Sequence, residues 1–328
     1  MNSKLKIIVS AICIFALLFG FSSCKGEEQK EPDATEIEYF TITFNSNGGS
    51  SVDSITIQSG QYASEPPSPT LDNHVFKSWA LNGETFYFDV KKITKNITLD
   101  AIWIPADKLF GITAVDDGIG ITEIKEQHNL HTLTVPSLIN GKSVVAILDG
   151  AFEDVHKSYA EHIVFPSSVV SVGTDAFKNV LDVELTFEGK LTYIGESAFE
   201  NCALLEKVSL NEGLEKIPFR AFDGCKALKT LDIPTGVTII EENAFEGCES
   251  MLTVVLPSTL VSIENGAFED TKLKTIFFAG NEEQYENLEI KLRNDGLKDA
   301  TVYFYSEIQP TSSGNFWHYG KNGAPQTW

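Results

Sequence analysis

The sequence predicts a mostly β protein, with a solenoid of short strands in its second half and a separate small β module before it. One observation is a repeat: Ala198, Ala221 and Ala244 each open a 23-residue segment that begins Ala-Phe and has cysteine four residues after the alanine. A fixed period of about 20 to 50 residues indicates a solenoid, because one unit cannot bury its apolar face alone whereas stacked units can. The other observation is short runs of alternating apolar residues, which predict strands with one face inward.

The N-terminal residues 1–23 predict a signal peptide, because Lys4 and Lys6 precede a stretch that is almost wholly apolar and too short for a comfortable membrane span. Small residues directly before Cys24, followed by a polar segment, resemble a bacterial lipobox. The resemblance implies cleavage before Cys24 and acylation of its thiol, for example with palmitate, although Phe21 departs from the usual leucine. Ordinary secretion and an uncleaved anchor are the alternatives.

Residues 24–37 are charged and predict a flexible tether, and residues 38–104 predict an independent module. Alternating residues predict strands at Tyr39–Phe44, Val52–Ile57 and Ile97–Trp103. We expect Gly48 and Gly49 to supply the positive φ angles of a tight turn, and Asn82-Gly83 predicts a hairpin.

The order of motifs in this module resembles the Listeria–Bacteroides repeat, also known as the internalin-B B-repeat. These motifs are, in chain order, F-N-S-N-G-G, P-x-P-T, F-K-S-W, N-G and I-T-x-N-I-T-L-D-A-I-W. The resemblance implies a β-grasp module that serves as a spacer or binding unit on bacterial surfaces.

The repeats extend beyond the three clean copies, because Ala-Phe pairs also open segments at Ala151, Ala176 and Ala267. The six marks are spaced 25, 22, 23, 23 and 23 residues apart. We expect residues 105–150 to form an N-terminal cap or half repeat, residues 151–279 the solenoid, and residues 280–328 a C-terminal cap and tail, since terminal repeats must close the core.

The repeat pattern is A-F-x-x-C-x-x-L-x-x-V-x-L-P-x-x-L-x-x-I-x-x-x, and it resembles the 23-residue leucine-rich repeat of BspA-like (Treponema pallidum-type) bacterial surface proteins. The resemblance covers roughly residues 105 to 280. It implies a right-handed, curved solenoid with short parallel strands along a concave face. It also implies attachment to host matrix proteins, host cells or other bacteria.

The repeated aromatic and cysteine positions predict a core rather than a ligand site. Cys202, Cys225 and Cys248 lie one repeat apart, unlike zinc ligands, and valine or threonine takes the same slot elsewhere, so we expect buried free thiols. Repetition in every coil predicts that six phenylalanines form a structural spine, namely Phe152, Phe177, Phe199, Phe222, Phe245 and Phe268.

No motif predicts catalysis, a cofactor or a metal site. His128 and His131 have a spacing that suits metal only on a helix, whereas Leu130–Val135 predicts a strand. His156 and His162 fall in the irregular 25-residue repeat and are expected on the surface.

The candidate binding face consists of the residues predicted to point outward between the inward pair of each strand. A varied row on a regular scaffold is how solenoids build binding surfaces, although ordinary solvated faces look similar. The row is Val164, Glu184, Ser209, Asp232, Val255 and Phe277. The aromatic tail around Trp317 either stacks on sugars or, as we expect, packs on the last coil.

The negative net charge of the chain argues against two classes of partner. The net charge of -21 becomes -23 without Lys4 and Lys6, which argues against nucleic acid and anionic lipid surfaces. The sequence therefore predicts a non-catalytic, lipid-anchored, adhesin-like envelope protein that presents its repeat face to a protein partner of host or bacterial origin. A structural or assembly role facing the periplasm is the alternative, and oligomeric state is left open.

Overall fold

The N-terminal module is a five-stranded sheet in a computed structural model that describes residues 37–311 and 313–328. The predicted signal peptide, Cys24 and the tether up to residue 36 lie outside these residues. The strands of the sheet are β1 (Tyr39–Asn45), β2 (Ile55–Gln58), β3 (His74–Leu81), β4 (Glu84–Thr85) and β5 (Ile97–Pro105).

The strand order is β2-β1-β5-β3-β4, with β1 and β5 parallel and the other pairs antiparallel. Alternation buries one face, where Ile42, Trp79 and Leu99 are inaccessible to solvent. The β3–β4 hairpin turns at Asn82 and Gly83 with φ angles of 55° and 87°, as the sequence predicts.

The turn after β1 corrects one expectation. Asn47 and Gly48 have positive φ angles of 49° and 96°, whereas Gly49 does not. Gly49 is required by a close approach instead, because a Cβ there would lie 2.5 Å from the indole ring of Trp103. The prediction of a positive φ at Gly49 is therefore wrong.

The described residues after this module form a parallel-strand solenoid of about 8 turns, and only 4% of the described part of the chain is helical. The solenoid begins after α1 (Ala106–Leu109), and α2 (Glu282–Glu286) and α3 (Asp295–Lys298) lie near its far end. Its strands are β6 (Phe110–Val115), β7 (Gly118–Ile124), β8 (Leu130–Thr134), β9 (Leu138–Ile139), β10 (Lys142–Ile147), β11 (Ala160–Phe165), β12 (Ser171–Val172), β13 (Glu184–Phe187), β14 (Tyr193–Ile194), β15 (Lys216–Ile217), β16 (Thr230–Asp232), β17 (Ile239–Ile240), β18 (Thr253–Leu256), β19 (Ser262–Ile263), β20 (Thr275–Phe278), β21 (Glu289–Ile290), β22 (Thr301–Tyr305), β23 (Phe316–Tyr319) and β24 (Pro325–Thr327).

Two ladders of parallel strands run along the solenoid. The first ladder consists of β8-β11-β13 and β16-β18-β20-β22, and the second consists of β7-β10-β12-β14 and β15-β17-β19-β21. Within each of these four runs, a strand pairs with the equivalent strand of the next coil, as in the register Leu231↔Val254↔Ile276. Both ladders therefore extend beyond the predicted solenoid boundaries at residues 151 and 279.

The six predicted spine phenylalanines belong to the solenoid core, and each is inaccessible to solvent. The rings of Phe199, Phe222 and Phe245 stack almost parallel, with centroids 5.3 and 5.4 Å apart. The backbone N–H of Phe222 donates to the carbonyl of Ala244 in the next coil at 2.9 Å, so the Ala-Phe pair also joins the coils.

The cysteines form the buried ladder of free thiols that the sequence predicts. Each thiol donates to the carbonyl of a phenylalanine one coil before it. The three bonds are Cys202 Sγ to Phe177 O at 3.1 Å, Cys225 Sγ to Phe199 O at 3.1 Å, and Cys248 Sγ to Phe222 O at 3.2 Å. Burial raises the pKa of all three thiols.

The C-terminal segment differs from the predicted cap. β21 extends the second ladder and β22 the first, so residues 282–305 form a further coil. The edge of the first ladder is instead covered by β23, parallel to β22, and by β24, which pairs antiparallel with β23. An exposed ladder edge favours pairing with another strand, and this hairpin supplies one from the same chain.

The module and the solenoid join within one compact unit, Tyr39–Trp328. Val75 of β3 belongs to the solenoid core. The Asn73 N–H donates to Leu138 O at 3.0 Å, and Asn73 O accepts from the Ala106 N–H at 2.8 Å. Among the described residues no helix has the length and apolarity to span a membrane.

Candidate functional site

The outward side of the first ladder carries the predicted binding face. Strand register identifies seven residues that lie between inward pairs in successive coils, and the 23-residue repeat adds Ser209, which lies outside the strands. They are Thr134, Val164, Thr186, Ser209, Asp232, Val255, Phe277 and Tyr303.

Glu184 is misplaced in the predicted row. It pairs with His162, whereas Thr186 pairs with Val164 and occupies the position between the inward residues. The reason is that Val183 and Leu185 form an apolar pair around Glu184, whereas the register places Leu185 and Phe187 on either side of the row position Thr186. Glu184 still points outward, one outward position before Thr186, and is exposed.

The C-terminal part of the row is covered. Val255 and Phe277 are only 2% and 9% exposed, because they pack with Trp317 of the tail. The expectation that these two residues contribute to an open binding face is therefore wrong. Trp317 is fully buried, lies 5.3 Å from the Phe277 ring and donates its indole N–H to Phe278 O at 2.8 Å.

Asp232 is the row residue at which the C-terminal tail stops covering the outward face. Partial desolvation raises the pKa of Tyr319 in the tail, and the Asp232 carboxylate raises it further. Partial desolvation also raises the pKa of Asp232, while Lys207 and Lys190 lower it. Tyr319 of the tail therefore lies near Asp232, and the Asp232 side chain itself remains exposed.

The N-terminal part of the row borders the module. A groove of about 500 Å³, which we call the junction groove, is lined by Glu65, Pro66, Pro67, Ser68, Phe76, Lys77, His131, Thr132 and Thr134. A neighbouring cleft of about 190 Å³ extends from the module's Trp103 to Val164 on the ladder. Val164 is half-buried there.

The residues between these two covered regions form the open face, which we define as Glu184, Thr186, Ser209 and Asp232. Ser209 is half-buried and the other three are exposed. Successive coils are about 4.8 Å apart, so the open face and the junction groove form one strip, bordered by the module at one end and the tail at the other.

Two histidines meet at the side of this strip. His131 Nδ1 lies 2.7 Å from Glu161 Oε2, and His162 Nδ1 lies 2.9 Å from Glu184 Oε2. The two imidazole centroids are 5.1 Å apart. The sequence contained a signal for this arrangement, because aligning Pro136 with Pro166 places His131 beside Glu161.

The titratable groups farther along the solenoid are explained by packing. Burial raises the pKa of Asp223 to about 6, helped by Glu246 and opposed by Arg220. Arg220 lies 3.7 Å from Asp223 and 3.8 Å from Glu200, so these side chains form a network between coils. This network lies on the Ala-Phe turns and away from the open face.

Comparison with protein families matches two parts of the chain. The BspA-type leucine-rich repeat region matches in six copies across residues 122–235 and 182–288, which together span half of the chain. The Listeria–Bacteroides repeat domain matches residues 40–102. Both resemblances that the sequence suggested are confirmed.

Similar proteins are bacterial. Two proteins of Evansella cellulosilytica with names of membrane proteins, one of them Gly-rich, are 39% and 35% identical over 71 residues, or 21% of this chain. The chain spans only 11% and 8% of their lengths. A leucine-rich cell surface protein of Faecalibacterium prausnitzii A2-165 has a similar fold, with a TM-score of 0.50 and 24% identity over 66% of this chain and 58% of that one.

Proposed function

Because the chain belongs to the family of BspA-type leucine-rich repeat proteins, we propose that it is a non-catalytic binding protein of the bacterial cell surface. The single observation that carries the proposal is the strip formed by the open face and the junction groove. The side chains of the open face are polar and exposed or half-buried, while backbone hydrogen bonds join the coils behind them. A rigid row of this kind suits many weak contacts with one macromolecule.

The partner that fits this strip is a protein. The strip carries both signs of charge, with Glu184 and Asp232 on the row and Lys190 and Lys207 beside Asp232. Mixed charges on a polar surface favour specific pairing over the single-sign attraction that nucleic acid requires. Host matrix proteins, host cells and other bacteria are the partners that we propose to screen.

The proposed location at the cell envelope is supported by the predicted acylation of Cys24 and by the names of similar proteins. Acylation of Cys24, which lies outside the described residues, would hold the protein on a membrane without a spanning segment. The names of the Evansella proteins and of the Faecalibacterium protein support a membrane or cell-surface address. We also propose that residues 1–23 are a signal peptide and that residues 24–37 are a tether.

A binding screen with one matched pair of variants tests the function. The full chain in detergent is titrated onto immobilised matrix proteins and whole bacteria, and each positive is repeated with Thr186→Arg and Thr238→Arg. Both threonines are exposed, but Thr186 lies on the open face and Thr238 lies next to the second ladder. We expect Thr186→Arg alone to weaken binding about tenfold or more, as a misplaced charge at an interface does.

Two results would contradict the proposal. One is equal binding by wild type and both variants, which would place the contact away from the open face. The other is the absence of saturable binding to every partner in the screen.

A further inference from the structure

Four side chains that can bind or orient a cation gather where β8, β11 and β13 lie side by side. They are His131, Glu161, His162 and Glu184. One ligand atom from each of His131, Glu161 and His162 lies within 4.8 Å of the other two. The parallel pairing of β8 with β11 and of β11 with β13 fixes the Cα positions of all four residues. The arrangement therefore follows from the backbone and not only from the rotamers.

The chemistry of this cluster suits a borderline transition metal. Imidazole nitrogen and carboxylate oxygen are the ligands that Zn²⁺, Ni²⁺ and Cu²⁺ share, at bond lengths of about 2.0 to 2.2 Å for zinc. Ligand atoms around such an ion are roughly 3.3 Å apart, given tetrahedral geometry at these bond lengths. The side chains of the cluster are half-exposed to exposed, so the core does not prevent their rotation toward that separation.

We propose that His131, Glu161 and His162 form a binding site for a divalent transition metal ion of the Zn²⁺ class. Glu184 has a different role, because it lies outside the group of three ligand atoms within 4.8 Å of one another, while its Oε2 lies 2.9 Å from His162 Nδ1. A carboxylate bonded to one imidazole nitrogen orients the ring and leaves the other nitrogen free for the metal. Glu184 is thus a positioning residue.

The surroundings give the site an open side. His131 also lines the junction groove, with Glu65 of the module on the same groove. Because both residues line this groove, a second carboxylate lies on the open side of the proposed site. Three protein ligands leave a fourth position for water or for a carboxylate or imidazole of a partner.

Each His–Glu contact alone would be an ordinary exposed pair, which contributes little to stability. A metal site requires in addition that both histidines bind the same ion. An experiment can therefore distinguish one shared metal site from two independent His–Glu pairs.

The test is isothermal titration of Zn²⁺ into the full chain, purified in detergent without a polyhistidine tag. We expect one saturable site, and we expect His131→Ala and His162→Ala each to weaken it at least about tenfold, a loss at the scale of altered metal-site residues. His156→Ala is the matched control, since His156 is also exposed and contacts only Ser158 and Tyr159. Glu184→Gln should weaken binding less than either histidine variant.

A second readout separates coordination from loss of folding. Co²⁺ bound to the wild-type chain should give visible absorption bands, and these bands should vanish in the double variant His131→Ala/His162→Ala. The melting temperature of the double variant without metal should equal that of wild type, because the replaced side chains are on the surface. The proposal is overturned if Zn²⁺ does not saturate one site, if the double variant binds as wild type does, or if His156→Ala loses as much affinity. These outcomes are independent of the proposed binding function, which the threonine variants test.

Discussion

At the scale of single residues, the spine phenylalanines have the most predictable environment. Phe222 is inaccessible to solvent and lies between Phe199 and Phe245, with interplanar angles of 5° and 3°. The sequence predicts this burial because a residue that recurs in every coil must have the same neighbours in every coil. The histidine cluster was not predicted, because His131 and Glu161 are far apart in sequence and meet only through strand pairing.

Replacing Phe222 by alanine should destabilise the protein by about 3 to 5 kcal/mol, because the surrounding rings cannot collapse into the cavity. Phe219→Ala is the control, since Phe219 is only half-buried and outside the spine. The measurement is the free energy of unfolding in denaturant. A loss below about 1 kcal/mol for Phe222→Ala would disagree with a rigid, close-packed spine.

At the scale of elements, the turn around each Ala-Phe pair has two left-handed residues. One precedes the alanine and the other follows it by three positions. The first set is Gly150, Asp175, Ser197, Arg220, Asn243 and Gly266, and the second is Asp154, Asn179, Asn201, Gly224, Gly247 and Asp270. The second set contains only Asn, Asp and Gly, the residues that tolerate this conformation, so the sequence carried that signal.

Ser197→Gly should therefore stabilise the protein by about 0.5 to 1 kcal/mol. The left-handed conformation costs an L-residue about 1 to 2 kcal/mol, which exceeds the extra chain entropy that glycine loses on folding. Ser197 has a φ of 51°. Ser209→Gly is the matched control, because its φ is not positive, and it should destabilise by about 0.5 to 1 kcal/mol. The measurement is the thermal stability of both variants. A Ser197→Gly variant that is less stable than wild type would contradict the left-handed conformation of Ser197.

The C-terminal hairpin shows where prediction from pattern fails. The tail has no repeat, so the sequence indicated packing on the last coil but not the position of each side chain. Trp317 reaches back across β22 to Phe277 and Val255, which lie on the two preceding strands of the first ladder. The position of the Trp317 side chain is determined only by these tertiary contacts. The row position on β13 was misassigned for a different reason, since Val183 and Leu185 have the same alternating apolar pattern as Leu185 and Phe187.

Trp317→Ala should release the hairpin and cost about 3 to 5 kcal/mol. Hydrogen exchange gives the local measurement, because the Ser306 N–H donates to Trp317 O at 2.9 Å and the Trp328 N–H donates to Phe316 O at 3.0 Å. Both amides should exchange faster in Trp317→Ala and nearly as in wild type in Ile308→Ala, where the replaced side chain is 79% exposed. Unchanged exchange in Trp317→Ala would show that the indole does not hold the hairpin.

At the scale of the whole molecule, the module and the tail border the open face. The sequence predicts the two modules and their order, because each has its own motif. It does not predict that the module lies beside the first ladder, since the contacts of Asn73 and Val75 with the solenoid leave no periodic signal. The available strip is consequently shorter than a row of six coils.

Acylation of Cys24 is the prediction that connects this molecule to its membrane. Metabolic labelling with an alkyne analogue of palmitate should label the wild-type chain, and Cys24→Ser should abolish the label. Cys13→Ser is the matched control, because Cys13 lies in the segment that we expect to be removed. Equal labelling of wild type and Cys24→Ser would contradict the lipid anchor and leave the solenoid unaffected.

The most direct test of a surface-binding role is proteinase accessibility on intact cells. An antibody to the solenoid follows this protein, and a periplasmic protein of the same cells serves as the control. We predict that added proteinase removes the solenoid signal while the control survives, because the repeat face must be available outside the cell. If the solenoid survives until the envelope is broken, the surface role is contradicted and the protein acts inside the envelope.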